Sequence, residues 1–310
     1  MPAGKLLERR DLRNRYGVFA DREGAGELLA EFVEREGVAL DSILAIPNGG
    51  VAVGYRAALR LGVPLAVAVV RKITYPWTTE AGFGAVSWLG DVVVDERVAR
   101  ALGEGEFRRC LERAERSVRE RARIFADYLP GDLNGKRVAV VDDGLATGYT
   151  MLAAVKAARK LGAREVVAAA PTASLDAVQL LLEHADLLVV LNLREDYPYA
   201  VADAYARWWD LTESEALAYL RLLRARAASQ GERNSLVCRC SELYSSEAAP
   251  LAGAQPVDRF RNSNGSRNGF HRGSPTFSSF GTPLKHGCAR SVDGLKVHNP
   301  LKALWNCLTR

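Results

Sequence analysis

The first 229 residues of the chain contain little cysteine and little histidine. Only Cys110 of the five cysteines and only His184 of the four histidines lie there. A single cysteine excludes a disulfide framework and fits a reducing compartment. With one histidine, the segment has no convincing Ser-His-Asp or Cys-His arrangement for nucleophilic catalysis. We therefore expect His184 to be a surface or packing residue.

The sequence also lacks a long apolar run. Its longest purely apolar strings, such as 63–70, are far shorter than the ~20 residues needed to cross a bilayer. Charged residues occupy 8–11, where a secretory signal would have its apolar core. These features predict a cytoplasmic protein without a membrane span.

Positive charge is concentrated at one end of the chain. The formal net charge is +5, but residues 1–229 carry 31 Lys+Arg against 32 Asp+Glu, while residues 230–310 carry 11 against 5. We therefore predict two parts, a folded domain at 1–229 and a basic low-complexity tail at 230–310. The tail is polar and rich in Gly and Ser, so it is predicted to be disordered. The nearly neutral folded part argues against a nucleic-acid partner.

The tail leaves three interpretations open. Cys238, Cys240, His286 and Cys288 are possible zinc ligands, although their spacing matches no standard zinc pattern. The basic charge would support weak binding of nucleic acid. The third interpretation, which we favour, is an appendage without a fixed role, including one translated from a shifted reading frame.

Strand and helix patterns alternate across residues 21–229. Strands are predicted at 42–47, 64–70, 137–141, 165–170 and 187–191, and helical patterns lie between them. Residues 72–90 are predicted to form a loop with up to one hairpin, and the Arg- and Glu-rich stretch 95–127 a long solvated helix. This alternation predicts an α/β fold with a mostly parallel sheet covered on both faces. The loops at 47–50, 72–90 and 142–150 leave carboxyl ends of strands, so we expect them to share one cleft.

The strongest local signal is the segment 140–150, VVDDGLATGYT. Its small residues and threonine hydroxyls, placed between a strand and a helix, suit a phosphate cradle. The acids Asp142 and Asp143 would repel a phosphate, so they suit the hydroxyls of a ribose or a Mg²⁺ ion. A tight turn with a helix cap would explain the glycines and threonines but not the paired acids. No P-loop sequence occurs, and Gly24-Ala25-Gly26 follows no strand, so a dinucleotide site is poorly supported.

This segment closely resembles the phosphoribosyl-diphosphate (PRPP) motif of type I phosphoribosyltransferases. The resemblance covers roughly 15–226 and includes further segments in the same order, which are FADR at 19–22, AIPNGG at 45–50, VRKI at 70–73, GAVS at 84–87 and YAV at 199–201. It implies a doubly wound α/β fold with a flexible hood loop at 73–90. It also implies a homodimer that uses Mg²⁺.

Roles for individual residues follow from the resemblance. Asp142 and Asp143 would bind the ribose hydroxyls and Mg²⁺, and would act in catalysis with Arg71 and Lys72. The other implied PRPP-binding residues are Asn48, Gly49 and Gly50 in the pyrophosphate loop, and Gly144, Ala146, Thr147, Gly148, Tyr149 and Thr150 around the 5-phosphate. Related proteins often have Arg where this chain has Asn48, so a fixed cation is missing. Pyrophosphate binding would then depend more on backbone amides, Arg71 and Lys72; the alternative is that these two are ordinary solvated charges.

Two residues are candidates for binding the acceptor base. Glu80 is reminiscent of a hood glutamate of adenine phosphoribosyltransferases, although an exposed loop carboxylate is the simpler interpretation. Tyr199 lies where related enzymes stack an aromatic ring on the base, and a core or rim tyrosine is the alternative. Ala146 stands where hypoxanthine-guanine enzymes often have an acid, which weakens that specific assignment.

The predicted function is transfer of the 5-phosphoribosyl group from PRPP to a nucleobase-like nitrogen acceptor, with release of pyrophosphate. The alternative is a non-catalytic sensor of PRPP or a nucleotide on the same fold. A regulator would be expected to add a basic face or a DNA-binding unit to the folded part. Since that part is nearly neutral and shows no N-terminal helix-turn-helix pattern, the sequence favours the enzyme.

Overall fold

A computed structural model describes residues 4–79 and 81–228 of the chain. Glu80 and the tail from 230 lie outside the described residues, so their assignments, like the division of the chain at 229, stay predictions. In chain order the strands are β1 (Lys5–Glu8), β2 (Ser42–Ala45), β3 (Leu65–Val67), β4 (Val70–Thr74), β5 (Gly82–Ser87), β6 (Val92–Val94), β7 (Arg137–Val141), β8 (Glu165–Ser174) and β9 (Leu187–Arg194). The helices are α1 (Arg22–Arg35), α2 (Gly49–Leu61), α3 (Glu96–Leu102), α4 (Glu104–Ile124), α5 (Tyr149–Lys160) and α6 (Leu175–Leu182), followed by a C-terminal helical segment at 213–228.

Six strands form a parallel sheet in the order β1-β9-β8-β7-β2-β3. One apolar core joins this sheet to α5 and α6, and a second joins its other face to α1 and α2. Because both faces are covered, the central strands are almost continuously apolar, as expected for a parallel sheet. The structure confirms the predicted doubly wound α/β fold.

The hood differs from its prediction. The prediction allowed one hairpin in a loop, and β4 and β5 form such a hairpin, but β6 adds a third strand to make a separate antiparallel sheet, which packs between α4 and α5. The apolar run 64–70, predicted as one strand, supplies β3 to the large sheet and the first residue of β4 to the small one. Strand β5 is buried along nearly all its length, so its sequence shows no polar and apolar alternation. At Gly84 a Cβ would lie 2.4 Å from the Val93 carbonyl oxygen, so this sheet requires glycine there.

Three other boundaries also differ from the sequence prediction. The predicted helix at 95–127 is divided into α3 and α4 by Gly103, whose φ is +76°. Strands β8 and β9 continue past the predicted ends because Thr172 and Ser174 pair with Asn192 and Arg194. Strand β1, which is short and lies at the edge of the sheet, is absent from the sequence prediction. The described helices include none with the length and apolar character needed to cross a membrane.

Candidate active site

Two adjacent acids lie where the central strand β7 ends. Asp142 and Asp143 follow Val141 directly, and both are partly buried. The Asp143 amide donates a 2.9 Å hydrogen bond to Asp142 Oδ1. Burial raises the pKa of Asp142 well above its ordinary value, the neighbouring Asp143 carboxylate raises it further, and the Lys72 charge lowers it. Ionisation of Asp142 is therefore costly, and a ligand that donates hydrogen bonds or carries positive charge would relieve that cost.

Arg22, the first residue of α1, neutralises one of these acids. Its Nε atom lies 2.7 Å from Asp143 Oδ2, and only 6% of its side chain is exposed. Its Nη1 atom donates to the Trp209 carbonyl at 2.7 Å, and its guanidinium lies 3.8 Å from the Trp208 ring centroid. Asp143 is thus held in place as an ion pair. Arg22 belongs to the FADR segment, but the sequence predicts no role for it, since its partner is 121 residues away.

The loop at 48–50 packs directly against the acid pair. A Cβ on Gly49 would lie 1.8 Å from Asp143 Oδ2, and one on Gly50 would lie 2.7 Å from the Val141 carbonyl oxygen. Glycine is required at position 50 because the backbone of the acid loop approaches too closely for a side chain, whereas a side chain at position 49 would displace the Asp143 carboxylate. The peptide bond between Pro47 and Asn48 is cis. The structure brings this predicted pyrophosphate loop and the acids together.

The predicted phosphate cradle is anchored on β8. The Leu145 amide donates to the Thr172 carbonyl at 3.0 Å, and Ser174 Oγ donates to the Ala146 carbonyl at 2.6 Å. Gly148 adopts a φ of +80° just before α5 begins at Tyr149, and Ala146 and Thr147 are exposed. Gly144, Thr150 and the rest of the predicted 5-phosphate set lie in this loop and the first turn of α5. An exposed loop that opens a helix can bind an anion through amides and the helix dipole.

The predicted basic pair lies in the hood strand β4. Lys72 is exposed but acts electrostatically on Asp142, and Arg71 acts on Arg121 of α4. Arg121 is not among the predicted site residues, although its position in the helical repeat of α4 indicates that it lies on the buried face. The buried residues of α4 are Cys110, Ala114 and Val118, and Arg121 continues that stripe three residues later.

Tyr199 lies in a segment at 199–211 that covers the acids. Its hydroxyl is 3.3 Å from Thr172 Oγ1, and burial raises its pKa. Val201 packs against Gly144, and Tyr205 donates a 2.5 Å hydrogen bond to the Asp143 carbonyl. Apart from YAV at 199–201, the sequence prediction uses no residue of this covering segment. Both interpretations of Tyr199, ring stacking and core packing, are compatible with its half-buried position.

Two features lie outside this site. His184 follows α6 and precedes β9, so it lies at the amino ends of the strands, opposite the acids. A cavity of about 740 Å³ between α2 and the C-terminal helical segment contains none of the predicted site residues. The candidate site is therefore the cleft at the carboxyl ends of the strands, the usual ligand position in such sheets.

The donor chemistry of the site fits a magnesium ion delivered with a phosphate ligand. No group of three or more His, Cys, Asp or Glu side chains suited to a metal occurs in residues 4–79 and 81–228. Mg²⁺ commonly takes one or two carboxylates and completes its coordination with water and substrate phosphates. Asp142 and Asp143 are the two carboxylates that would hold it.

Comparison with known proteins agrees with this geometry. A family model described as a phosphoribosyl transferase domain matches residues 23–186. The chain belongs to this family. The matched range contains Asp142, Asp143, both glycines of the loop at 48–50, and the cradle that opens α5. The phosphoribosyltransferase family inferred from the sequence is thereby confirmed.

Relatives in two other comparisons extend the agreement. Two Mycobacterium tuberculosis proteins, from strains CDC 1551 and H37Rv and each named "Putative phosphoribosyl transferase", are 32% identical over 77% of this chain. The chain spans about half, 54%, of the length of these curated relatives. The crystal structure of TT1426 from Thermus thermophilus is 35% identical with a TM-score of 0.55, over 65% of this chain and 97% of that one.

Proposed function

We propose that the protein transfers the 5-phosphoribosyl group of PRPP to a nucleobase-like nitrogen acceptor and releases pyrophosphate. The observation that carries this proposal is the acid pair Asp142–Asp143, placed between a phosphate cradle and the glycine loop at 48–50. Phosphate, ribose hydroxyls and diphosphate each have a chemically matched partner in one cleft. A cytoplasmic location and a homodimer belong to the same proposal.

The site residues would act mainly by binding and orienting the donor. Backbone amides and hydroxyls of the loop at 144–150 hold the 5-phosphate, and the acid pair accepts hydrogen bonds from the ribose hydroxyls. Arg71 and Lys72 neutralise charge that grows on the departing pyrophosphate. Interactions of this kind lower the barrier because they strengthen as the charge develops. Bound Mg²⁺ would supply further charge neutralisation on the diphosphate.

The reaction breaks the bond between C1 of the ribose and the pyrophosphate oxygen and forms a bond from C1 to the acceptor nitrogen. The electron pair of the broken bond leaves with pyrophosphate, and the acceptor nitrogen loses its proton to the released pyrophosphate or to solvent. The hood sheet carries Lys72 on β4, close enough to act electrostatically on Asp142. A hood in that position is suited to exclude water, which would otherwise compete as the acceptor.

A pyrophosphate-release assay with PRPP, Mg²⁺ and a panel of nucleobases tests the proposal. The wild-type chain should release pyrophosphate only with a suitable base. Asp142→Asn should reduce the rate about 100-fold, because it removes an acceptor for the ribose hydroxyls. Asp127→Asn is the matched control, since Asp127 is exposed and outside the cleft; it should leave the rate unchanged.

The same assay separates the enzyme from a sensor. Absence of base-dependent release over a broad panel, with PRPP binding retained, would favour a non-catalytic sensor. Absence of both release and PRPP binding would refute the proposed function.

A further inference from the structure

Arg121 is a buried cation held against the loop at 48–50. It lies near the end of α4, and 13% of its side chain is exposed. Its Nη2 atom donates a short hydrogen bond to Asn48 Oδ1, while Asn48 Nδ2 donates to the Leu211 carbonyl at 2.6 Å. The Asn48 side chain is thus fixed between a backbone carbonyl and a guanidinium, which it orients toward the loop.

The surroundings of Arg121 do not balance its charge. Its pKa is lowered by burial and by the positive charge of Arg71, and Glu213 opposes this effect. The Arg121 Nε atom lies 3.3 Å from Glu213 Oε1 but forms no well-directed hydrogen bond, and the Glu213 side chain is 39% exposed. The Arg71 side chain forms no hydrogen bond or ion pair with the residues that the structure describes. Glu213 is therefore the one carboxylate paired with Arg121 in that part of the chain, and no ion pair joins it to Arg71.

The acids of the site form no ion pair with Arg121 or Arg71 among the described residues, and Asp143 is already paired with Arg22. The N-terminus of α2, which begins at Gly49, adds further positive potential from its dipole. A buried arrangement of this kind is stabilised by an anion with several oxygens, which a planar guanidinium can bind through two parallel hydrogen bonds.

We propose that Arg121 binds the pyrophosphate end of PRPP, with Asn48 as the residue that positions its guanidinium. This inference rests on the proposed function and deepens it. The loop residue at position 48 has no charge of its own, so the cation reaches the pyrophosphate subsite from α4 instead. Arg121 and Arg71 would then flank the same diphosphate from two different elements.

Calorimetric titration of the full chain with three ligands tests this role. The ligands are PRPP, inorganic pyrophosphate and ribose 5-phosphate, each with Mg²⁺ present. Arg121→Gln should weaken binding of PRPP and pyrophosphate about tenfold, because a charge-assisted contact is lost. It should leave ribose 5-phosphate within about twofold, since this ligand has no group at the Arg121 position. Arg123→Gln, an exposed neighbour on the same helix, is the matched control and should change none of the three.

The outcomes distinguish this inference from the proposed function. If the wild type binds neither PRPP nor pyrophosphate, the function itself is refuted. If the wild type binds both and Arg121→Gln binds them equally well, or weakens ribose 5-phosphate to the same degree, Arg121 has no specific role at the pyrophosphate. Should Arg121→Gln fail to fold, Arg121→Lys serves in its place. Lysine keeps the positive charge but cannot form the two parallel hydrogen bonds of a guanidinium. We therefore expect a selective loss of about threefold in affinity for PRPP and pyrophosphate, and equal binding would overturn the inference.

Discussion

Replacement of Arg22 by methionine is expected to destabilise the protein by about 2–4 kcal/mol, because it leaves a partly buried carboxylate without its partner. The structure supports this range through three contacts that would be lost together. These are the 2.7 Å ion pair with Asp143, the 2.7 Å hydrogen bond to the Trp209 carbonyl and the cation-π contact with Trp208. Asp143 keeps 16% of its side chain exposed, so partial hydration reduces the loss below that of a fully buried pair.

Urea denaturation at pH 7 measures this loss, and a double-mutant cycle with Asp143→Asn isolates the pairwise contribution. The two substitutions together should cost less than the sum of their separate effects, with a coupling of about 1–3 kcal/mol. Arg60→Met is the matched control, because Arg60 pairs with Glu27 and Glu34 at an exposed surface. It should cost under about 1 kcal/mol. Equal losses for Arg22→Met and Arg60→Met, or zero coupling, would refute the reasoning.

Two further predictions concern the acid loop. Gly144→Ala should destabilise the chain by about 1–3 kcal/mol, since the new Cβ would lie 2.3 Å from Val201 Cγ1. Gly105→Ala, in open space on α4, is the control and should stabilise the chain by about 0.5–1 kcal/mol in the same urea denaturation experiments. Because the pKa of Asp142 is raised in the folded state, the folded protein holds this proton more tightly than the unfolded chain does. The contribution of this group to the free energy of unfolding is therefore complete below about pH 4, and it is lost as pH rises through the folded pKa. Asp142→Asn should therefore match the wild type at pH 4 and exceed its stability increasingly toward pH 8, although it impairs function; a constant difference across urea titrations would contradict this sign.

Local sequence is sufficient for the elements that depend on short-range backbone chemistry. The strand, acid pair, cradle and helix at 137–160 are predicted close to their observed limits, and Gly162, with a φ of +90°, lies just past the end of α5. Hydrophobic runs, turn glycines and helix caps act within a few residues, so their outcome can be predicted without knowing the rest of the fold.

The complete antiparallel sheet of the hood could not be predicted from local sequence patterns. A strand buried on both faces and rich in glycine looks like a loop when only its composition is considered. Its pairing with β4 and β6, and its burial between α4 and α5, depend on where those helices pack. The same limit applies to the covering segment at 199–211, whose contacts with the acids come from the opposite end of the domain.

The α/β class, the acid pair and the glycine loops of the cleft can be inferred from the order of residues along the chain. Arg71 and Lys72 can be inferred in the same way, but Arg22 and Arg121 cannot, because each comes from a distant element. Arg22 meets Asp143 across 121 residues, and Arg121 meets Asn48 across 73. One of these arginines is in the first turn of a helix and the other is in an Arg-rich helix, where most guanidinium groups are solvated. Burial of a charge depends on how remote elements pack against it, while the sequence of one helix only indicates which face will be buried.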